Sequence, residues 1–212
     1  FDGVLVCPLT KKPCSETDAI ANQEHAFNSA KVETLKKMQS LFDATIQDQK
    51  NLVAKGSKMV EDLKELEKLK AEGLFFKNKQ VALDEVPGRL AIISAATSRG
   101  LHDLKNIVFS AGAPFKIKMT LFTAVLQGAR GAETISTRIQ QLIKRSNEFD
   151  AILIIRGGGD DTGMDCYDDY ALARTVCECP LPVITGIGHS TNETVTEMVA
   201  HTNKITPTDV AY

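Results

Sequence analysis

The distribution of hydrophobic and polar residues changes near residue 73 of the 212-residue chain. Between about residues 26 and 72 there is no proline, and Lys, Glu, Gln, Leu and Ala predominate, which predicts a long helix. Before it, residues 4–6 predict a short strand, and Ser15-Glu-Thr-Asp18 has the residues of a helix N-cap, with Asp18 completing a capping box. Gly56 lies in an Ala-Lys-Gly-Ser-Lys segment that would allow a kink or a helical hairpin.

Seven apolar residues of this predicted helix follow an alternating spacing of three and four, with interruptions at Thr45, Gln49 and Gly56. They are Leu35, Met38, Phe42, Leu52, Met59, Leu63 and Leu66. Such a stripe is typical of a helix that packs on a core, and we favour that interpretation. A coiled coil, or a helix that binds a partner, has the same spacing and stays open as an alternative.

After residue 73 the pattern becomes an alternation of strands and helices. The predicted strands cover residues 89–94, 116–122, 151–155 and 182–187, and the predicted helices cover 99–110, 132–146, 168–177 and 192–200. The run Ala151-Ile-Leu-Ile-Ile155 is apolar throughout, as in strands that are covered on both faces. We therefore predict a doubly wound, mainly parallel α/β sheet of Rossmann-like type over residues 73–212, preceded by a long helical N-terminal segment over residues 1–72.

The composition is that of a soluble globular protein, with 43% hydrophobic and 25% charged residues. The apolar runs are far shorter than the roughly 20 residues that cross a membrane, so we expect no membrane partner. No signal segment opens the chain, and Phe1 stands where an initiator Met is expected, which suggests a fragment of a longer protein. Five cysteines are an odd number that favours a reducing, cytoplasmic location, and their spacing fits no zinc site, so we interpret them as structural thiols.

The net charge of −2 conceals a strong contrast along the chain. From Gly157 to Tyr212 there are nine acidic and two basic residues, a net charge of −7, which leaves +5 on the rest. No overall basic character therefore indicates nucleic-acid binding.

Glycine and polar residues follow each predicted strand, where the carboxyl ends of parallel strands share one end of the sheet. Those that we assign to substrate binding are Ser94, Thr97, Gln127, Gly157, Gly158, Gly159 and Thr191. Arg156 and His189 lie among them in the sequence. Glycines allow backbone amides to approach phosphate oxygens, and an arginine offers a two-pronged donor, so the pattern predicts a site for an anionic ligand.

The common nucleotide-binding and calcium-binding motifs are absent from the sequence. There is no Gly-x4-Gly-Lys-Ser/Thr, which excludes a P-loop, and Gly186 and Gly188 lack the third glycine of the dinucleotide motif. The segment from Asp161 to Asp169 lacks the glycine and glutamate positions of an EF-hand.

Several motifs, in this order, resemble one protein family. They are Arg89-Leu-Ala-Ile-Ile-Ser94, Leu101-His-Asp-Leu104, Val125-Leu-Gln-Gly128, Arg156-Gly-Gly-Gly159 and Gly188-His-Ser-Thr-Asn192, preceded by Leu69-Lys-Ala-Glu-Gly-Leu-Phe75. Together they resemble the catalytic domain of the large subunit of exodeoxyribonuclease VII, over about Leu66 to Pro207. The Arg-Gly-Gly-Gly turn, followed some thirty residues later by Gly-His-x-Thr, is the most specific part of the resemblance.

The resemblance implies an exonuclease that degrades single-stranded DNA from both ends to short 5′-phosphorylated products. It also implies a complex with several copies of a small helical subunit. The family's essential Asp, Arg and His correspond to Asp103, Arg156 and His189, and Asn192 takes the place of a further family Asp. We expect no required cofactor, with a divalent metal such as Mg²⁺ as the open alternative.

Two departures from the family pattern keep other functions in view. The family motif is Gly-His-Glu-Thr-Asp, and this chain has Asn192 at the position of its final Asp. The family has Ser-Leu-Glu-Asp after the glycines, where this chain has Asp160-Asp161-Thr162-Gly163. One alternative is a non-catalytic module that binds a phosphate-bearing ligand or scaffolds a nuclease complex, with His189 only capping the following helix. The other is a metal-dependent phosphohydrolase with ligands from an acidic run, although a solvated loop and helix start explain that run as well. The acidic run comprises Asp160, Asp161, Asp165, Asp168 and Asp169.

Overall fold

The computed structural model describes residues 6, 12, 13, 15–110, 116–157, 163–188 and 193–211. The chain forms two compact units, Phe1–Met59 and Val60–Tyr212. The domain division at residue 72 stays a prediction, because a compact unit is not by itself an independently folding domain. None of the helices among these residues is long and apolar enough to cross a membrane.

Helix α1 begins at Glu16 and ends at Ala71. Ser15 caps it as predicted: its hydroxyl accepts a hydrogen bond from the Asp18 amide at 3.2 Å and donates to the Asp18 carboxylate at 2.6 Å. The helix continues through Gly56, so the chain does not form a hairpin there. One glycine costs a helix only about 1 kcal/mol, less than breaking the hydrogen bonds of a turn. Of the predicted strand 4–6 only Val6 is described, and it forms an isolated antiparallel bridge with Pro13.

Apart from Leu66, the apolar stripe of α1 does not pack on a core, which corrects the interpretation that we favoured. Within the first unit Leu35, Met38 and Phe42 are 55–62% exposed, and Leu52 is 69% exposed. Only Leu66, in the second unit, is buried among the stripe residues. Spacing alone could not separate these cases, because it records which residues share a helical face and not what covers that face.

The described residues of the second unit form the sheet and four further helices. Its strands are β1 (Arg89–Ser94), β2 (Lys118–Thr123), β3 (Ala151–Ile155), β4 (Val183–Gly186) and β5 (Thr202–Asn203). Its helices are α2 (Arg99–Ser110), α3 (Gly131–Ile143), α4 (Tyr170–Glu178) and α5 (Val195–Val199), with short 3₁₀ helices at Asn78–Gln80, Ser146–Glu148, Met164–Asp168 and Asp209–Ala211.

The five strands form one sheet in the order β2-β1-β3-β4-β5, and every pair is parallel. This confirms the predicted doubly wound α/β fold preceded by a long helix. The predicted bounds of β1, β3 and α2 coincide with those observed. The two-residue strand β5 was not predicted, because it is too short to show a hydrophobic pattern.

Each face of the sheet has its own core. Ala91 and Ile93 of β1 pack in one cluster with α3, α4 and α5, whereas Leu90 and Ile92 pack in a second cluster with α2. This alternation follows from the two-residue repeat of a strand. Strand β3 is at most 3% exposed along its whole length, as expected for a strand covered on both faces.

Side-chain caps decide where two helices begin. The Asp169 carboxylate accepts a hydrogen bond from the Leu172 amide at 2.8 Å, so α4 begins at Tyr170. Thr194 and Glu197 form a reciprocal capping box, so α5 begins at Val195. The predicted helix start at 192 lies outside the described residues. The Thr-x-x-Glu sequence was the signal that could have located the start of α5.

The cysteines among the described residues are buried free thiols. Burial raises the pKa of Cys166, Cys177 and Cys179 to about 11 each. Their thiolates are therefore scarce at neutral pH, which agrees with a structural role. The predicted roles of Cys7 and Cys14 fall outside the described part of the chain.

Candidate functional site

The sheet has a topological switch point between β1 and β3, where the strand order reverses direction. From β1 the chain crosses to β2 on one side, whereas β3, β4 and β5 continue on the other. The helices that follow the two strands, α2 after β1 and α4 after β3, pack in the two different core clusters of the sheet, and a crevice forms at such a switch point. Doubly wound sheets bind their ligands in this crevice.

Ser94 ends β1 within the sheet. Its side chain is fully buried, and its hydroxyl donates a hydrogen bond to the Ile155 carbonyl at 2.7 Å. The loop after it then turns into α2: the Ser98 amide donates to the Ala95 carbonyl, and the Ser98 hydroxyl accepts from the Leu101 amide. Thr97 lies exposed in this turn. Ser94 thus aligns the ends of β1 and β3, whereas Thr97 faces solvent.

Two glycines let the start of α2 lie directly against the end of β3. A Cβ atom on Gly157 would come within 2.9 Å of the backbone nitrogens of Arg99 and Gly100, and within 3.0 Å of the Ser98 hydroxyl. A Cβ atom on Gly100 would come within 2.8 Å of the Arg156 carbonyl. Contacts this short mean that a side chain at either position would require the neighbouring backbone to move. The N-terminus of α2, where helix dipole and amides favour anions, is thereby held at the crevice.

Arg156 follows β3 and is only 3% exposed. Its amide donates a hydrogen bond to the Gly186 carbonyl at 3.1 Å, which continues the β3–β4 ladder by one residue. Its Nη2 group reaches the Gln127 Oε1 atom, 3.5 Å away, on the loop between β2 and α3. The guanidinium therefore extends from the β3 side of the crevice toward the β2 side.

The segment around Met164–Asp168 holds the loop between β2 and α3 in place through hydrogen bonds. The buried Tyr167 hydroxyl donates to the Leu126 carbonyl at 2.9 Å, and the Gly128 amide donates to the Gly163 carbonyl at 3.0 Å. Gly128 and Gly163 have φ values of 74° and 79°, in the left-handed region that glycine tolerates. These contacts fix the loop that presents Gln127.

Asp103 lies on α2, three residues beyond Gly100 and hence one turn further along the helix, and it is exposed to solvent. The structure thus brings Ser94, Arg156, Gln127 and Gly157 to one end of the sheet, with Asp103 on the adjoining helix. Thr97 lies exposed in the turn after β1, and the other predicted site residues, Gly158, Gly159, His189, Thr191 and Asn192, lie outside the described residues. The assignment of catalytic and substrate-binding roles stays a prediction.

Two carboxylates of the acidic run have structural hydrogen bonds. Asp169 caps α4, and an Asp168 carboxylate oxygen accepts from the Val195 amide at 3.0 Å. Asp160 and Asp161 are not among the residues that the structure describes. Within the described ranges, no group of three or more His, Cys, Asp or Glu side chains is arranged to hold a metal ion.

Sequence reasoning missed three parts of this end of the molecule. It did not identify Ser98 as the cap of α2, although a serine directly before a helical pattern is an N-cap signal. It also missed the buried Tyr167 beneath the loop, and a cavity beside Arg130 and Arg138. The last two carried no sequence signal, because their neighbours come from distant parts of the chain.

The fold and this crevice define a doubly wound α/β domain of the class that holds its ligand at the carboxyl ends of parallel strands. Residues 74–212 match the family model described as "Exonuclease VII, large subunit". The chain therefore belongs to the exonuclease VII large-subunit family, which confirms the resemblance drawn from its motifs.

Individual relatives agree with this family. The chain is 35% identical over 144 residues to the exodeoxyribonuclease 7 large subunit of Lacticaseibacillus casei strain BL23, covering 68% of this chain and 31% of that protein. It is 34% identical over 145 residues to that of Pseudomonas fluorescens strain Pf0-1, with the same coverage. It is 32% identical over 155 residues to that of Lactobacillus helveticus strain DPC 4571, covering 72% and 34%. The chain thus spans about a third of the length of these relatives.

Proposed function

We propose that this chain is the catalytic part of an exodeoxyribonuclease that hydrolyses phosphodiester bonds of single-stranded DNA to short 5′-phosphorylated products. The observation that carries the proposal is the position of Arg156 at the switch point, beside Gln127 and directly before the close contact of Gly157 with α2. A guanidinium and a helix N-terminus at one crevice are complementary to a phosphodiester.

In this proposal Arg156 binds a non-bridging oxygen of the scissile phosphate. Its two-pronged donor geometry suits that oxygen, and its fixed charge stabilises the negative charge that grows in the transition state. The low exposure of Arg156 strengthens this interaction, because water screens a buried charge less. The amides near the Gly157 turn supply further donors to the same phosphate.

His189 moves the proton in this proposal, either from the attacking water or to the leaving oxygen. Histidine suits this step because it titrates near neutral pH. Asp103 orients the imidazole or the attacking water, and Asn192 provides an acceptor oxygen where the family has a carboxylate. The partners are single-stranded DNA and a small exonuclease VII subunit. No cofactor is required in this scheme, and digestion in the presence of EDTA tests for Mg²⁺ dependence.

The decisive experiment is digestion of end-labelled single-stranded DNA by the full chain, with and without EDTA and with and without the small subunit. We expect cleavage that persists in EDTA and falls about 10²- to 10⁴-fold in His189→Ala, the usual loss when a general acid or base is removed. His25→Ala, on the exposed surface of α1, is the matched control and should retain full activity. Cleavage that EDTA abolishes would instead support the metal-dependent phosphohydrolase.

A non-catalytic phosphate-binding module is the second candidate, and Asn192 is the observation that favours it. An amide cannot take a proton as a carboxylate does. If Asn192 limits an active enzyme, Asn192→Asp should raise the cleavage rate, whereas Asp103→Asn should lower it. If neither the wild type nor Asn192→Asp cleaves, and Arg156→Gln abolishes binding of the oligonucleotide, the second candidate is correct.

A further inference from the structure

A cavity of about 430 Å³ opens at the carboxyl ends of β1 and β2, alongside the first turns of α3. This volume falls in the range of roughly 300–1,000 Å³ that small-molecule sites occupy. None of the residues assigned above to catalysis or substrate binding lines it. The cavity is therefore a second feature of this end of the sheet, next to the crevice that holds Arg156.

The walls of the cavity differ in chemistry. Ala95, Ala124 and Val125 contribute an apolar part of the lining, which we call the apolar wall, and Arg130 and Arg138 line the same cavity. A cavity that combines apolar groups with two guanidinium groups is complementary to a nucleotide, which carries a flat base at one end and a phosphate at the other.

The Arg138 side chain is held in place. Its Nε atom donates to the Thr123 carbonyl at 2.7 Å, and its Nη1 atom donates to the Gln141 amide oxygen at 3.0 Å. Its Nη2 group makes no hydrogen bond to the residues that the structure describes. The Arg130 side chain, exposed at the N-cap of α3, forms neither a hydrogen bond nor an ion pair with any described residue. Both arginines thus have donors directed to solvent or to a ligand.

The cavity adjoins the proposed catalytic crevice. Ala95 directly follows Ser94, and Val125 shares its loop with Gln127, the contact of Arg156. β2 and β3 flank β1, so the carboxyl ends of β2 and β3 lie two strand spacings apart, about 10 Å. One strand of DNA could therefore cross the ends of β1, β2 and β3 in succession.

Charge makes this side of the crevice the more favourable one for a DNA backbone. The segment from Gly157 onward has a net charge of −7, whereas the cavity carries Arg130 and Arg138 against the single acid Glu133. Phosphate contacts dominate the affinity of proteins for nucleic acids. The positive groups of the cavity provide what the acidic segment lacks.

We propose that this cavity binds the nucleotide next to the scissile phosphate, with its phosphate on Arg130 and Arg138 and its base or sugar against the apolar wall. The inference rests on the proposed function, since it assigns a second subsite to the same substrate. The cavity then provides the affinity for the strand, and Arg156 acts on the bond that is cleaved.

The test measures binding of a short fluorescein-labelled oligodeoxythymidylate by anisotropy, between about 50 and 200 mM salt. The full chain carries His189→Ala so that the probe stays intact. Arg130→Gln should weaken binding about fivefold at 0.1 M salt and reduce the salt slope by about 0.7, the value for one lost contact to single-stranded DNA. Ala96→Phe, which fills the exposed side of the cavity, should weaken binding without changing the slope.

Arg145→Gln is the matched control, because it removes the same charge from just beyond the other end of α3, where Arg145 pairs with Glu148. It should bind like the parent. Circular dichroism verifies that each variant is folded. Dissociation constants and slopes unchanged in both Arg130→Gln and Ala96→Phe would overturn the inference, and so would an absence of probe binding by the parent chain.

The outcomes separate this inference from the proposed function. If the chain with His189 intact cleaves DNA and Arg130→Gln leaves both affinity and slope unchanged, the nuclease function stands and the subsite is wrong. If that chain does not cleave, but Arg130→Gln and Ala96→Phe weaken binding as described, the subsite stands and the catalytic proposal fails. Weak binding of thymidine 5′-monophosphate that Ala96→Phe abolishes would show that one nucleotide suffices.

Discussion

The two ends of the parallel sheet are built from different contacts. At the amino end, the polar side chains of Asn78, Arg89 and Asp150 pair with one another or with the backbone. Ser94 and Tyr167 also bond to the backbone near the carboxyl end. At the carboxyl end, glycines bring backbone segments together, and Arg156 and the cavity arginines extend into or beside the crevice. The contacts of the amino end stabilise the fold, and the difference supports the proposal that the carboxyl end binds the ligand.

Asn78 shows how the amino end is closed. Its fully buried amide donates to the carbonyls of Cys179 and Leu181 and accepts from the amides of Val183 and His201, all at 2.9–3.1 Å. One side chain thus satisfies four backbone groups from the segments around β4. Nothing remains for a ligand, so the contribution of Asn78 is to stability.

The largest effect that we predict is therefore a loss of stability at the amino end. Asn78→Ala should lower the free energy of unfolding by about 4 kcal/mol, because it leaves buried backbone donors and acceptors unsatisfied. Chemical denaturation measures this loss. Asn147→Ala, at an exposed position of the same end, is the control and should change stability by less than about 0.5 kcal/mol. Equal losses in the two variants would contradict the comparison.

At the carboxyl end, Gly157→Ala should reduce DNA cleavage about 100-fold. The new methyl group would push α2 away from the end of β3 and displace Arg156, and small displacements of catalytic groups cost rates of this size. Rates are normalised to folded protein. Gly88→Ala, at the amino end, meets only Asp150 at an ordinary 3.9 Å and should cleave like the wild type. A Gly157→Ala enzyme of normal rate would break the assignment of function to the carboxyl end.

The ion pair of Arg89 with Asp150 gives the amino end a pH dependence. Hydrogen bonds from the Arg89 side chain hold the pKa of Asp150 below its usual range. A lowered carboxyl pKa contributes stability at neutral pH that is lost as the pH falls through the folded-state value. Asp150→Asn should lower the melting temperature by a few degrees at pH 7, with the difference shrinking below about pH 4. Glu148→Gln, in a more exposed pair, should shift it less.

Glu65, which lies near Asp169 at the start of α4, should give a pH dependence of stability opposite in sign to that of Asp150. Burial, and then the charge of Asp169, raises its pKa to about 6, with smaller contributions from Asp62, Glu61 and Asp168. Because the folded-state pKa is raised, its contribution to stability is full below about pH 4.5 and is lost as the pH rises through 6.

Glu65→Gln, which resembles the protonated acid, should match the wild type at pH 4.5 and be more stable at pH 7.5. The gain should be below about 1 kcal/mol, since solvent screens a partly exposed group. Melting temperatures across this pH range measure it. Glu67→Gln, on an exposed position of the same helix, should show no such crossover.

Much of the fold could be predicted from local pattern. The bounds of β1, β3 and α2 could be predicted because apolar runs mark the two strands and a helical repeat of apolar residues marks the helix. These patterns are local in the sequence. The burial of the α1 stripe was mispredicted, because burial depends on what packs against a helical face. The sequence likewise did not show that the Ser94 hydroxyl donates a hydrogen bond to the Ile155 carbonyl within the sheet.

By itself the sequence determined the alternating α/β pattern, the family, and the candidates Asp103, Arg156, His189 and Asn192, because these depend on residue order and local periodicity. Only the tertiary structure decided that Arg156 reaches Gln127, that Gly157 meets the start of α2, and that Arg130 and Arg138 line one cavity with apolar residues. The physical reason is the strand order: it places residues that are distant in the chain at one end of the sheet, through contacts that no local pattern records.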